Sequence, residues 1–319
     1  MSYTSPNSDR LQHLKLSLKW SREMTKVFSK GFYLSTFLMP SSLRRDVFAL
    51  YGYCRYTDNI GDSPRERSAD EITFELDHWR EELKSAYRSG ESQNPIMNAF
   101  VHVAIEKDIP IHLPLELIEG VQSDIRSDSY PDFISLRKFC YQVASVVGVM
   151  MTHVIGYRDE AVFQHAESLG IAMQLTNILR DINEDWQLRR KIFLPEEDLM
   201  RFGVTRDDIA AGVVSEKFVA LMKFEIERAR GYYQDAQKGI KLLSRRGRSS
   251  ISAAAEIYAS ILTEIEKRNY DVFSSRPVVS LTRKISIMAK NRFLGILPQR
   301  SESGDSSLLA GRTKQIDAY

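Results

Sequence analysis

Apolar residues recur every three or four positions along most of the chain, and this spacing limits the fold more than any other feature. It is clear in residues 74–87, 221–233 and 251–265. In the first of these ranges Phe74 lies on the predicted apolar stripe, and Leu76 lies beside it. The strict alternation of apolar and polar residues that marks a half-buried β-strand is nearly absent. The sequence therefore predicts an all-α protein.

Glycine and proline, with 16 and 10 residues, mostly mark places where the helical spacing is interrupted. The pattern predicts roughly ten or more helices with short loops, in a single domain that spans residues 1–298. Residues 299–319 are polar and poor in large apolar side chains, so we expect a flexible tail. The predicted interruptions are Ser63–Pro64, Pro95, Pro110, Pro114, Pro131, Gly156, Pro195, Gly203, Gly247 and Pro277.

The composition argues against several kinds of partner and site. Lysine and arginine number 44 against 42 acids, so no overall field favours nucleic acid. Cys54 and Cys140 lie far apart, and no pair among the six histidines has zinc-ligand spacing. The N-terminus lacks the apolar core of a signal peptide, and the apolar run 143–156 is short for a membrane span. We expect a cytoplasmic protein that does not bind nucleic acid.

The segment QLTNILRDINEDW, residues 174–186, places carboxylates on a helix that is otherwise apolar. Asp181 and Asp185 are four residues apart, about 6 Å along a helix axis, and therefore share a face. Asn177 and Gln174 extend that polar face upstream. The upstream half of the helix is apolar almost all round, unlike a surface helix. The polar face is therefore predicted to point into a cavity.

The same pattern occurs earlier in the chain, in LYGYCRYTDNIGD. Asp58 and Asp62 are again four residues apart, and the helix upstream of them is apolar and aromatic. Arg55 lies about one turn before Asp58, and Tyr51 lies a further turn back. The chain therefore carries two aspartate motifs of similar design.

Two pairs of carboxylates that face one cavity repel each other unless a cation lies between them. Mg²⁺ prefers oxygen ligands and typically bridges a few carboxylates to substrate phosphates, and Mn²⁺ is a plausible substitute. Arg55 and Arg180, each beside one pair, have the fork geometry that binds phosphate. The alternative is a solvated acidic face with ordinary ion pairs. One pair alone favours that alternative, but two pairs on apolar helices favour a site for metal and phosphate.

Several segments together resemble the phytoene and squalene synthases, which join two prenyl diphosphates head to head. The resemblance runs from about Ser29 to Arg283 and is strongest to the bacterial phytoene synthases. It implies the isoprenoid-synthase fold, a helical bundle around a central cavity with aspartate motifs on opposing helices. The segments are SKGFYLSTFLMPSSLRRDVFALYGYCRYTDNIGD, CYQVASVVG, LGIAMQLTNILRDINEDW, KIFLPEEDLMRFGV and YASILTEIEKRNYDVFSSR.

The resemblance also implies roles for residues at matching positions. The metal ligands would be Asp58, Asp62, Asn177, Asp181 and Asp185. The catalytic residues would be Tyr51, Arg55, Asp58, Asp62, Asn177, Arg180, Asp181 and Asp185. The substrate-binding residues would be Ser29, Tyr51, Arg55, Tyr141, Gln174, Asn177, Arg180 and Tyr258.

The implied reaction has two ionisations. One prenyl diphosphate ionises and is attacked by the double bond of the second, which gives a cyclopropylcarbinyl diphosphate. This intermediate, prephytoene diphosphate if both substrates are geranylgeranyl diphosphate, ionises and rearranges to a 1-1′ linked product. Loss of a proton then gives phytoene for carotenoid biosynthesis.

The residues leave alternative functions open. The chain could make squalene, dehydrosqualene or presqualene diphosphate from farnesyl diphosphate, and only the squalene type would need NADPH. A terpene cyclase or chain-elongating synthase of the same fold fits paired D-x-x-x-D motifs less well. A non-catalytic relative that acts as an assembly or scaffold protein is disfavoured, because all four motif aspartates are present.

Several positions depart from the family pattern. Asn59 stands where a second acid is usual, and Phe193 stands where a tyrosine is common. A glycine at position 61, inside the first motif, is expected to weaken the helix by about 1 kcal/mol relative to alanine. The departures are Phe28, Gly31, Asn59, Gly61, Gln122 and Phe193.

Basic and apolar residues interleave in the segment 280–297. This composition is typical of a helix that lies on a bilayer, so peripheral membrane contact is one interpretation. The other is a packed C-terminal helix with a solvated basic face. No feature of the sequence indicates the oligomeric state.

Overall fold

A computed structural model describes residues 6–28, 30–62 and 67–296, and within these ranges the protein is helical, without a β-strand. A 3₁₀ turn at Thr36–Leu38 and a π-helical turn at Tyr141–Ser145 accompany the α-helices. The predicted fold class is confirmed. The predicted tail and the predicted break at 63–64 lie outside the described residues. The helices are α1 (Pro6–Phe28), α2 (Lys30–Ser35), α3 (Ser41–Gly61), α4 (Ala69–Ser89), α5 (Pro95–Glu106), α6 (His112–Arg126), α7 (Phe133–Cys140), α8 (Val146–Ile155), α9 (Val162–Arg189), α10 (Glu196–Phe202), α11 (Arg206–Ala210), α12 (Glu216–Ile240), α13 (Arg245–Lys267) and α14 (Leu281–Ile296).

Local signals set the ends of several helices. α4 begins with a capping box, in which the Ser68 hydroxyl accepts from the Glu71 N–H and the Glu71 carboxylate accepts from the Ser68 N–H. α5 begins after Asn94, whose side chain accepts from first-turn N–H groups, and Pro95 occupies its first position. Gly203 ends α10 in the left-handed conformation. The ends at Pro95 and Gly203 agree with the predicted interruptions, whereas the start of α4 at Ser68 was not predicted.

Two of the predicted interruptions are wrong. Pro114 lies in the first turn of α6, where a helix tolerates the missing N–H of proline. Gly247 lies in the first turn of α13, against α8. A Cβ atom there would lie 2.5 Å from Ile155 Cγ2, so glycine allows the two helices to pack closely.

The buried face of α4 also differs from the prediction. Leu76 and Trp79 are buried, whereas Phe74 is 76% exposed. The indole N–H of Trp79 donates to Thr57 Oγ1 at 3.0 Å. This bond joins α4 to α3 at the residue just before Asp58, and so supports the first aspartate motif from behind.

The core consists of two large apolar clusters and a small third one, in which Ala253 and Ile257 of α13 contact Ile287 of α14. The first contains residues of α3, α4, α5, α6 and α8, with Tyr53 and Phe100 among its fully buried members. The second contains residues of α7, α9, α12 and α13, with Phe218 among its fully buried members. Val143, in the π-helical turn, packs against both clusters. α3 and the first turn of α9 belong to the first cluster, whereas the part of α9 that carries the second motif belongs to the second. The two aspartate motifs therefore come from different parts of the core.

At residue 170, α9 approaches the π-helical turn so closely that only glycine fits. A Cβ atom on Gly170 would lie 2.4 Å from Ser145 Cα and 2.5 Å from its backbone nitrogen. The Ser145 hydroxyl donates to the Glu167 carbonyl at 2.7 Å, across the same contact. One turn beyond this point α9 carries Gln174, so the close approach sets the position of the polar face that follows.

The helix formed by α7, the π-helical turn and α8 is apolar but largely covered by protein. Among the described residues, one segment, Phe133–Ile155, is long and apolar enough to cross a bilayer. The most apolar window of that segment is 61% buried within the protein, as expected for a core helix. Cys54 and Cys140 are both free thiols, and both are buried.

Candidate active site

Both aspartate motifs line one cavity of about 320 Å³. The last two turns of α3 and the second half of α9 approach it from the two large apolar clusters. α6, α7, the π-helical turn and two loops complete its wall. The lining residues are Arg55, Asp58, Gly61, Asp62, Val121, Asp124, Ile125, Phe139, Val143, Gln174, Asn177, Ile178, Arg180, Asp181, Asp185, Arg189, Phe193 and Arg276. The prediction that the polar face of α9 points into a cavity is therefore confirmed.

Two arginines hold the carboxylate of Asp181. Arg180 donates from Nε at 2.7 Å and from Nη2 at 2.5 Å. Arg276, from the loop between α13 and α14, donates from Nε at 2.7 Å and from Nη2 at 2.8 Å. Burial would raise the pKa of Asp181, but these hydrogen bonds outweigh it and hold the pKa below its usual value. Asp181 is therefore a fixed negative charge in the cavity wall.

Asp62, in the first motif, also has two arginine partners. Arg55 Nη2 lies 3.3 Å from one carboxylate oxygen, and Arg189 Nη2 pairs with the other. Arg189 also pairs with Asp124 at 3.3 Å, so it connects the end of α9 to α3 and α6. The two motif helices are thus joined by ion pairs at the open end of the cavity.

The other aspartate of each motif has a different environment. Among the residues that the structure describes, no arginine or lysine forms an ion pair with Asp58 or Asp185. Burial, together with the charge of Asp62, raises the pKa of Asp58 to about 7. Burial, together with the charge of Asp181, raises the pKa of Asp185 to about 7. Each motif therefore pairs one arginine-bound carboxylate with one whose charge is poorly compensated.

The donor atoms of the cavity suit a hard cation that keeps other ligands. Asn177 Oδ1 is buried and accepts no hydrogen bond, and the nearby acids supply only oxygen. Within the described ranges, however, no three acid, histidine or cysteine side chains stand close enough to hold one ion. A metal ion would need water or ligand oxygens to complete its shell. Mg²⁺ has this preference, so the residues present fit it.

Comparison with known proteins identifies the family. A family model described as squalene/phytoene synthase matches residues 25–283. The chain belongs to the squalene/phytoene synthase family. Members of this family are prenyltransferases, so the protein is an enzyme of that class.

Relatives in this family cover most of the length of the chain. It is 36% identical over 293 residues to the 15-cis-phytoene synthase of a Synechocystis species, with 88% of this chain and 86% of the relative covered. It is 37% identical over 282 residues to the phytoene synthase of Arthrospira platensis, with 84% and 90% covered. A crystal structure of a dehydrosqualene synthase in complex with ligand superposes with a TM-score of 0.82 and 26% identity, over 89% of this chain and 98% of that one. The isoprenoid-synthase fold expected from the sequence is confirmed.

The site residues predicted for this family are only partly brought together. Eight of them line the cavity, namely Arg55, Asp58, Asp62, Gln174, Asn177, Arg180, Asp181 and Asp185. Tyr51 stacks on Phe32 with ring centroids 5.2 Å apart, and Tyr141 and Tyr258 are half-buried against the apolar clusters. These three tyrosines are not among the lining residues. Ser29 lies outside the described residues. The catalytic and binding roles of the whole set stay predictions.

The cavity also contains charged residues that the sequence did not single out. Arg276 and Arg189 supply half of the arginine contacts to the motif aspartates. Asp124 accepts from Lys191 Nζ at 2.5 Å and from the Tyr130 hydroxyl at 3.0 Å. Arg276 is the last residue of the segment YASILTEIEKRNYDVFSSR, so its place in a family segment was a signal for it.

The structure accounts for several departures from the family pattern. Gly61 does more than weaken the helix, because a Cβ atom there would lie 2.6 Å from Val121 Cγ1 on the opposite wall. The ring of Phe193 lines the cavity and lies 4.7 Å from Lys191 Nζ. The Arg55 guanidinium lies over the Phe28 ring at 5.1 Å. A side chain at position 61 would therefore displace the Val121 side chain next to the first motif.

Proposed function

We propose that this enzyme condenses two molecules of geranylgeranyl diphosphate head to head to give phytoene, through a cyclopropyl prephytoene diphosphate intermediate. The observation that carries the proposal is the convergence of two paired-aspartate motifs and four arginines on one cavity. Two diphosphate leaving groups need such a density of oxygen ligands and guanidinium donors. The phytoene synthases that resemble the chain over most of its length support the choice of substrate.

Mg²⁺ is the proposed cofactor, with Mn²⁺ as a substitute. Asp58, Asp62, Asn177, Asp181 and Asp185 would hold it, since their oxygens lie on opposite walls of the same cavity. When bound, Mg²⁺ neutralises the charge that develops on the diphosphate as the carbon–oxygen bond breaks. The unpartnered Asn177 Oδ1 and the poorly compensated charges of Asp58 and Asp185 support this assignment.

The chain's own residues would bind the diphosphates, exclude water and stabilise the cation. Arg55 and Arg180 present guanidinium groups to the cavity and would bind the diphosphate oxygens bidentately. Val143, Ile178 and Phe139 form apolar wall next to these polar groups and would keep water from the allylic cation. Aromatic rings near the reacting carbons stabilise a cation by about 0.5–2 kcal/mol. Tyr51 and Tyr258 are the proposed rings, supported by their matching positions in the family.

The structural neighbours support a second candidate of the same reaction class. The dehydrosqualene synthase with TM-score 0.82 is named for a different product, so condensation of farnesyl diphosphate is the alternative. NADPH would be required only for a squalene-type product. A non-catalytic scaffold role is disfavoured because all four motif carboxylates line the cavity.

Product analysis tests this proposal. The purified protein is incubated with Mg²⁺ and either geranylgeranyl or farnesyl diphosphate, with and without NADPH, and the lipids are extracted. We expect phytoene from geranylgeranyl diphosphate without NADPH, and no product when a chelator removes the metal. A 1-1′ product from farnesyl diphosphate alone would reassign the substrate. No 1-1′ product from either substrate would contradict the enzymatic proposal.

We also propose that the enzyme is cytoplasmic and contacts a membrane peripherally through α14. Leu281, Ile285 and Phe293 repeat at multiples of four residues along this helix, and each is more than half exposed. Arg283 and Arg292 lie exposed beside this apolar stripe. An exposed apolar stripe with basic neighbours matches the surface of a helix that binds anionic lipid.

Vesicle flotation tests the membrane contact. Ile285→Glu should reduce binding to vesicles that contain phosphatidylglycerol by at least about tenfold, because it removes apolar area and adds a negative charge. Phe74→Glu is the matched control, since Phe74 is also a large exposed apolar residue but lies on α4. Equal loss in both variants, or in neither, would contradict a role for α14.

A further inference from the structure

We infer that Arg276 is a latch on the second aspartate motif, a role that rests on the metal ligands proposed above. Arg276 competes with Mg²⁺ for Asp181 and leaves that carboxylate when a diphosphate enters the cavity. Metal binding and diphosphate binding are thereby coupled through one side chain. We call Arg276 the latch in this role.

The hydrogen bonds at Asp181 show why the two cations compete. Arg276 and Arg180 each bridge both carboxylate oxygens, so Asp181 accepts four charge-assisted hydrogen bonds of 2.5–2.8 Å. Mg²⁺ requires its ligand oxygens at about 2.0–2.1 Å in near-octahedral directions. A carboxylate enclosed by two guanidinium groups cannot offer those directions, so one guanidinium must leave.

Arg276 is the arginine free to leave. The Arg180 side chain is 15% exposed and comes from the residue next to Asp181 on α9, whereas the Arg276 side chain is 50% exposed on a loop. The loop backbone is fixed near Arg276, because Asn183 donates to the Phe273 carbonyl at 2.9 Å. Release of the latch therefore requires only rotation of the Arg276 side chain.

A diphosphate in the cavity would offer the Arg276 guanidinium a second partner in place of Asp181. Arg276 lines the same cavity as the arginines of the first motif and beyond Asp181 contacts Glu184 at 3.6 Å. A guanidinium fork matches two phosphate oxygens as well as it matches a carboxylate. Diphosphate binding removes the competitor from Asp181 and so strengthens metal binding, and by linkage the metal strengthens diphosphate binding. The latch thus favours assembly of metal and substrate together over binding of the metal alone.

Calorimetric titration with Mg²⁺ alone tests the latch in the full-length protein. Arg276→Met should bind Mg²⁺ at least about fivefold more tightly than the wild type, since it removes one unit charge at close range. Arg276→Lys, which keeps the charge but not the fork, should lie between the two. Arg201→Met is the matched control, because Arg201 is exposed and lies over aromatic rings away from the cavity. Its Mg²⁺ affinity should equal that of the wild type.

A double-variant cycle separates the latch from a general charge effect. The gain in Mg²⁺ affinity from Arg276→Met should disappear in the Asp181→Asn background, because the latch acts through that carboxylate. Unchanged or weaker Mg²⁺ binding by Arg276→Met, or a gain that persists without Asp181, overturns the latch. Failure of the proposed function has a different signature, namely the absence of any 1-1′ lipid product from the wild type.

Discussion

Asp181→Asn is expected to lower turnover at least about a thousandfold while leaving the protein folded. Asparagine has nearly the same size and keeps an oxygen that accepts from Arg180 and Arg276, so α9 should stay in place. The variant loses the fixed negative charge that the arginines hold in the cavity wall. The rate of lipid product formation from geranylgeranyl diphosphate at saturating Mg²⁺ measures the effect, and circular dichroism monitors the fold.

Glu227→Gln is the matched control for this prediction. It also removes one negative charge, but Glu227 is exposed on α12, where it pairs with Arg230. An exposed ion pair contributes about 0–1 kcal/mol, so we expect turnover within about twofold of the wild type. Near-normal turnover of Asp181→Asn would show that the metal assignment is wrong.

Gly170→Val is expected to cause a large loss of stability. Its Cβ atom would lie 2.4 Å from Ser145 Cα, and the backbone of a helix cannot move aside as a flexible side chain can. Overpacking of this kind costs about 1–3 kcal/mol or more, and the two added methyl groups increase it. Thermal denaturation should show a melting temperature lower by at least about 5 °C, or a loss of soluble protein.

Gly231→Ala is the control variant, and it is expected to raise the melting temperature instead of lowering it. Gly231 is exposed within α12, and a Cβ atom there would meet nothing within 4 Å. Alanine is favoured over glycine in a helix by about 1 kcal/mol, so this variant should melt slightly higher than the wild type. If Gly170→Val melted at the wild-type temperature, the close approach of α9 to the π-helical turn would be contradicted.

The sequence predicted the features that depend on neighbouring residues. The helical spacing of apolar residues predicted the all-α class. The four-residue spacing of Asp181 and Asp185 predicted a shared helix face, which the structure confirms. Pro95 and Gly203 were visible as interruptions because such signals act within one or two turns of a helix. Phe74 was misplaced, because the choice between two adjacent faces of α4 depends on its packing against α3, α5 and α6.

Contacts between distant parts of the chain were not predictable from one sequence. Arg276 reaches Asp181 across 95 residues, and Arg189 reaches Asp62 across 127. Such pairs depend on where loops return to the bundle, which no local pattern encodes. Gly170 is similar, since nothing in its own helix indicates that the backbone of another segment lies against it. The sequence thus identified the aspartates that line the cavity but not Arg189 and Arg276, which pair with two of them.

The division of the core into two large apolar clusters has a consequence for the lifetime of the protein in the cell. A diphosphate bound by both α3 and α9 would link the two large clusters. The substrate would then increase the stability of the folded state as well as take part in the reaction. A ligand at a hundred times its dissociation constant stabilises the folded state by about 2.7 kcal/mol. Proteases act mainly on opened molecules, so degradation would slow when substrate is plentiful.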